Sequence, residues 1–211
     1  MGIPKENVSP EVQGAYERQE ALYGNALNTL QVYALRPTIL QGTTALAAGI
    51  EASGLIDNSL KKLVSLKTAM INGCPFWIDV NALGATSNGL SVEKLERLST
   101  YRKAEIYTSR ERHALSLAER MTYTSRRVTN RFFAQLRKEF SEEELVELAA
   151  VIALENFRSK FNPVFGVESN GLCKIPLIQE AVDDATARFR WTVPNLVFSL
   201  LNYRTIHNNL L

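Results

Sequence analysis

Apolar residues recur at intervals of three and four along almost the whole chain, and no sustained two-residue alternation bounded by turn residues interrupts them. That period is the turn of an α-helix, not the pleat of a strand, so the spacing predicts an all-α protein folded as a compact multi-helix bundle. Capping chemistry marks the boundaries. Ser9-Pro10-Glu11 supplies an N-cap, a first-turn proline and an acid, opening a helix expected to run to about Val32. Arg36-Pro37 restarts the chain in a helix carrying Ile39, Leu40, Leu46, Ala47 and Ile50, which stops at Ser53-Gly54. Asp57-Asn58-Ser59 caps a third helix with Leu60, Leu63, Val64, Leu66, Met70 and Ile71 on its apolar face, ended by Asn72-Gly73. Pro75 is tolerated only in the first turn of the next helix, which puts Cys74 at a helix N-terminus. Further helices are expected from Ser91, Ser109, about Thr129 and Ser141, where Ser141 and Glu144 form a capping box. A last pair is expected after Pro176 and Pro194.

Composition narrows what such a bundle can do. The chain has 211 residues, 45% hydrophobic and 22% charged, enough for a sizeable core in one domain, 1–211. Two helical halves, 1–100 and 109–211, are the alternative division, with Tyr101–Arg110 as the nearest thing to a seam. Lys and Arg number 24 against 22 Asp and Glu, a net charge of +2 that offers no electrostatic footprint for nucleic acid or an anionic membrane. Charges such as Lys61, Lys62 and Lys67 or Glu144, Glu147 and Glu155 break the richest apolar segments before membrane-spanning length. The start, Met1 to Asn7, has no apolar run of the secretory kind, and two widely separated cysteines, Cys74 and Cys173, fit reduced thiols; both point to a cytoplasmic protein. His113 and His207 lack partners at metal-ligand spacing, and no phosphate loop, dinucleotide fingerprint or nucleophile elbow is present. The expectation is no metal and no cofactor.

The residues that carry most information run from Leu60 to Ser91 and include Asn72-Gly73-Cys74-Pro75-Phe76-Trp77-Ile78-Asp79-Val80-Asn81, then Ala82, Ala85, Gly89 and Leu90. This stretch resembles the carboxymuconolactone decarboxylase and AhpD-like alkyl hydroperoxidase superfamily. There an acid on one helix precedes an asparagine-glycine-Cys-x-x-Cys-x-x-x-His opening of the next. Ala118-Glu119, Leu136-Arg137, Phe140 to Leu145 and Asn156-Phe157 extend the likeness to roughly residues 37–170. The resemblance implies an AhpD-like helical fold, a small-molecule substrate and assembly as a homo-oligomer. The C-terminal run Val193, Leu196, Val197, Leu200 and Leu201 offers apolar area for that contact.

Against the pattern the resemblance implies, Trp77 stands where the second cysteine would be, Asn81 where the histidine would be, and Lys62 where the helix acid would be. Trp77 accepts no disulfide and Asn81 moves no proton near neutral pH, so the dithiol cycle is excluded. Cys74 remains, and two readings stand beside each other. A helix N-terminus with a cation nearby favours a thiolate; a lone cysteine among Met70, Ile71, Phe76, Trp77 and Ile78 is a small buried hydrophobe. Trp77 either shapes a binding pocket with Phe76 and Met70 or fills core, and Asn81 can orient a ligand carbonyl.

The candidate site is therefore Lys62, Cys74 and Asn81 as catalytic residues with Met70, Phe76 and Trp77 against the substrate. Lys62 is the first choice of proton carrier, followed by His113 and Glu155. Asp79 is expected on the solvated side of its helix and Cys173 as inert or exposed. Glu144 and Glu147 are expected to serve as helix-start acids, and Arg126, Arg127, Arg131 and Arg137, interleaved with Phe132 and Phe133, as a solvated face over buried aromatics. The leading expectation is non-redox chemistry on a small organic, aromatic or lactone substrate. The alternatives are a single-cysteine peroxidase using Cys74 and a non-catalytic ligand-binding or assembly protein.

Overall fold

A computed structural model describes residues 2–190. Those residues form ten α-helices: α1 (Pro10–Tyr23), α2 (Asn28–Tyr33), α3 (Pro37–Ser53), α4 (Asn58–Asn72), α5 (Pro75–Ser87), α6 (Val92–Glu96), α7 (Ser109–Thr122), α8 (Asn130–Leu136), α9 (Glu142–Val164) and α10 (Pro176–Arg190). No strand occurs among the described residues, and none of these helices is long and apolar enough to cross a membrane. The caps fall where the sequence sets them, with Ser91, Thr129 and Ser141 each accepting from a first-turn backbone N–H. Thr108 takes the position expected of Ser109 and closes a capping box with Glu111.

One expectation is corrected. The first helix does not continue to Val32 but stops at Tyr23, where Gly24 adopts φ 79°, and the chain restarts as α2. A glycine reaches that left-handed conformation without steric cost, and its N–H closes on the Glu20 carbonyl. The predicted helix after Pro194 and the apolar run from Val193 to Leu201 lie outside the described residues, as does His207.

Helix α4 is the axis of the bundle. It buries Leu60, Leu63, Val64, Leu66 and Ala69 against α5, α7 and α9, because three neighbouring helices leave it almost no solvent-facing side. Each large apolar side chain so buried contributes roughly 1.5–3 kcal/mol. The same core takes in Leu98, Tyr101 and Tyr107 and continues into Leu115, Ile152 and Ile178, on both sides of the 101–110 seam. At the α4–α5 corner Gly73 (φ 65°) turns the chain, and the Cys74 N–H bonds back to the Ala69 carbonyl at 3.1 Å.

Two acidic side chains serve this architecture in ways the sequence did not foreshadow. Asp79 is buried, not solvated: its carboxylate accepts from the Ser169 hydroxyl (2.7 Å) and from the backbone N–H groups of Asn170, Leu172 and Cys173 (3.1, 3.0 and 2.6 Å). It thereby holds the α9–α10 connection, and Cys173 is buried with it. Glu144 caps α9 as expected, but Glu147 does not. It is buried one turn further along, where it accepts from Ser53 (2.5 Å), Leu55 N–H (2.9 Å), Ile56 N–H (3.2 Å) and the buried Lys61 ammonium (2.6 Å). These donors fix the α3–α4 turn to α9 and draw the Glu147 carboxyl down to about 2, against the opposing effect of burial.

Candidate functional site

The corner at Gly73 determines where the chemistry sits. Cys74 is the N-cap of α5 and is completely buried among Leu27, Val32, Phe76 and Val167. Burial pushes its thiol up to about 12; the Trp77 and Phe76 backbone N–H groups pull the other way, and the Glu155 carboxyl adds to the rise. Desolvation outweighs the helix N-terminus here, so the group is a thiol throughout the neutral range.

One turn into α5, Trp77 and Asn81 face α9. The Arg158 guanidinium lies over the Trp77 ring at 4.0 Å and donates to Glu155 Oε2 at 2.8 Å. Phe76 is buried and meets Trp77 edge-on, with centroids 4.9 Å apart. Glu155 is fully buried with the Asn81 side chain as a loose donor to its carboxyl, and Trp77 Nε1 and the Tyr33 hydroxyl have no hydrogen-bond partner. Each unpaired buried polar atom costs roughly 1–3 kcal/mol, so these two beside a buried acid mark a place kept polar for something other than stability.

Lys62 reaches this cluster from α4. Its aliphatic stem runs against Gly84 of α5, where an added Cβ would stand 3.1 Å from Lys62 Cδ and 3.2 Å from Cε. Only glycine leaves this path open. Burial lowers the Lys62 ammonium pKa, and Arg158 lowers it further. For Glu155 burial acts upward and prevails over Arg158, Asn81 and Lys62, leaving the carboxyl at about 7. An acid poised at neutrality next to two cations is a group that can both take and return a proton under working conditions.

The structure thus brings Lys62, Cys74, Phe76, Trp77 and Asn81 together and adds Glu155 to them. Met70 lies apart, lining a groove with Leu95, Ser99, Leu177 and Ile178. His113 is also remote, its Nδ1 2.9 Å from the Ser109 carbonyl oxygen near Glu139. Arg158 and Tyr33 escaped sequence reasoning. The Glu155–Arg158 spacing of one helical turn was a signal for the former, whereas Tyr33 is placed by the packing of α2 alone. Tyr33 stacks on Phe161 at 4.5 Å, and Phe157, Phe161 and Phe165 continue the stack along α9, closing the side of the cluster nearest α2. In the arginine-rich stretch, Arg126 pairs with buried Glu119 and Arg137 with exposed Glu142, while Phe132 alone of the two phenylalanines is buried.

Comparison with known proteins places the all-helical architecture and its asparagine-glycine-cysteine corner beside one family. Residues 37–120 match the carboxymuconolactone decarboxylase family. The fold is that of AhpD-like helical proteins. The chain is 27% identical over 180 residues to the uncharacterized protein YnjA of Escherichia coli (strain K12), covering 83% of this chain and 98% of that protein. In fold it is similar to the debrominase Bmp8, with a TM-score of 0.72 at 19% identity over 87% of this chain and 96% of Bmp8. It is likewise similar to the AhpD core of an uncharacterized peroxidase-related protein from Ralstonia eutropha JMP134, with a TM-score of 0.73 at 17% identity over 81% and 90% of the two chains.

Proposed function

We propose that this protein is an enzyme of proton transfer, a lyase or isomerase type, acting on a small organic acid or lactone. The observation that carries the reading is Glu155: a fully buried carboxyl held at about 7, with Arg158, Asn81 and Lys62 beside it. In this reading the Glu155 carboxylate takes a proton from a carbon next to a carbonyl or carboxyl group. The negative charge that develops on the substrate oxygen is met by Lys62, Arg158 and the Asn81 amide, and the Glu155 carboxyl returns the proton to another carbon to complete an isomerisation; in a decarboxylation the neutral Glu155 carboxyl instead gives its own proton to the carbanion left by loss of carbon dioxide and is reprotonated from solvent. Trp77 supplies a flat wall whose position Arg158 stabilises. The family that residues 37–120 match is named for a decarboxylase, which supports the reaction class.

A second reading keeps the thiol, with Cys74 as a lone nucleophile. It is favoured by the Phe76 and Trp77 N–H groups directed at the sulfur and by the fold neighbour Bmp8, a cysteine-to-alanine variant of which was solved with 2,3,4-tribromopyrrole. The two separate in one experiment. Small α-carbonyl and lactone acids are incubated with protein in deuterated water and followed by proton NMR. Wild type and Cys74→Ser should incorporate deuterium and Glu155→Gln should not; exchange that survives Glu155→Gln, or peroxide or aryl-halide turnover abolished by Cys74→Ser, would refute the proton-transfer reading.

We also propose a homo-oligomer, through α3. This helix buries no residue in the single chain although it is largely apolar with Glu51 as its one charge, and Ile39 and Leu46 are 46% and 52% exposed. Its face continues into an apolar groove of about 510 Å³ formed with Ala150, Ala153, Leu154 and Phe157. Light scattering at micromolar concentration should give a multiple of the monomer mass, reduced by Leu46→Glu.

A further inference from the structure

Away from the Glu155 cluster, α7 carries Arg112, Ser116 and Arg120 at successive intervals of four, one stripe along a single helical face. This stripe forms the floor of a cavity of about 300 Å³, separate from every residue of the site described above. Tyr101 and Arg102 close one side of it and Phe132 and Gln135 of α8 the other. Arg102 is neutralised by Glu119, but like charges gathered on one helix face repel, and Arg112 and Arg120, with no carboxylate partner among the described residues, place a cost at this concavity that an anion relieves.

The guanidinium groups are held in place rather than left to roam. Arg102 lies over the Tyr101 ring at 4.9 Å and Arg120 over the Phe132 ring at 4.3 Å. Arg112 donates one N–H to the Ala104 carbonyl (2.7 Å) and Arg120 one to the Arg127 carbonyl (2.6 Å), which orients each fork while leaving most of its five donors without a protein acceptor. No carboxylate lines the cavity. Of the nearby acids, Glu119 is engaged by Lys67, Arg102 and Arg126, and Glu139 faces His113. The Tyr101 hydroxyl is buried beside Glu119 and Ser116.

We infer that this cavity binds the phosphate group of a small organic phosphomonoester. Excess positive charge suits a dianion better than a single carboxylate, planar forks match phosphate oxygens, and the Tyr101 and Phe132 rings provide apolar walls for the organic part. The site is independent of the proton-transfer reading and stands or falls separately.

Isothermal titration of the full chain at fixed ionic strength tests it, with phenyl phosphate, inorganic phosphate and benzoate as probes. Phenyl phosphate should bind saturably at one site per chain, more tightly than either other probe. Arg112→Gln should weaken it at least tenfold. Gln135→Glu, an exposed change that puts a negative charge at the rim without disturbing the fold, should do the same. Arg137→Gln removes an equal charge outside the cavity and should leave binding unchanged. Absence of saturable binding, or equal weakening by Arg137→Gln, would overturn the site; benzoate or inorganic phosphate binding as tightly as phenyl phosphate would overturn the assignment to a phosphomonoester.

Discussion

Replacing Glu155 by glutamine tests the central electrostatic argument without any knowledge of the substrate. A carboxyl that moves from its ordinary 4.5 to about 7 on folding is protonated in the native state over a range where it is ionised in the unfolded chain. The sign follows directly: the native state binds more protons between these values, so stability falls as pH rises through the window and levels off above it. At roughly 1.4 kcal/mol per unit, the wild-type protein should lose on the order of 2–3 kcal/mol between pH 5 and pH 8 through this one group. Glu155→Gln keeps the shape and an oxygen for Arg158 but cannot ionise. All other titrating groups remain common to both proteins and cancel in the comparison. Urea denaturation of the two at pH 5, 6, 7 and 8 should therefore yield stability curves that diverge upward in pH, the variant gaining on the wild type by on the order of 2–3 kcal/mol over the range. Any constant offset reports loss of the ion pair with Arg158 and is irrelevant to the slope. Parallel curves would show that Glu155 is ionised at its ordinary value, and the argument for a proton carrier at neutral pH would be lost. The expected gain in stability accompanies loss of function: removal of a positioned acid or base lowers kcat by roughly a hundredfold to ten-thousandfold.

Glu147→Ala should destabilise the protein by about 3–5 kcal/mol, seen in the denaturation midpoint, because it strands the buried Lys61 ammonium and the Leu55 and Ile56 N–H groups. The same carboxylate, held at about 2, lends stability that is present above its ordinary 4.5 and is lost as pH falls from there toward 2, so Glu147→Ala should flatten the acid limb of the stability curve. Gly84→Ala should stabilise α5 by up to about 1 kcal/mol while cutting turnover, since the new methyl displaces the Lys62 stem; unchanged kinetics would show that Lys62 does not act. Cys74 should resist a thiol reagent at pH 8 until the protein is denatured, and Cys74→Ser should keep most activity whereas Trp77→Ala loses roughly ten- to a hundredfold; rapid native labelling would contradict the buried-thiol account.

The all-helical architecture, most helix starts and the corner at Asn72-Gly73-Cys74 were legible in the sequence, because caps, glycine stops and a 3.6-residue period are local properties of the chain. The placement of Cys74, Trp77 and Asn81 on successive turns of one helix start was legible as well, through spacing. What the sequence could not weigh was environment. His113 and Glu155 are equally plausible proton carriers on paper, yet one sits near a helix start beside Glu139 and the other is sealed between Trp77, Arg158 and Lys62. Asp79 carries the pattern of a solvated acid and in fact gathers the backbone of 169–173, a connection some 90 residues away. Cys74 holds the helix position that favours a thiolate, but its burial reverses the outcome. Desolvation depends on which elements cover a group, and that is decided by contacts between segments far apart in the chain, so only the tertiary structure could turn one buried glutamate into the candidate acid–base and the retained cysteine into core.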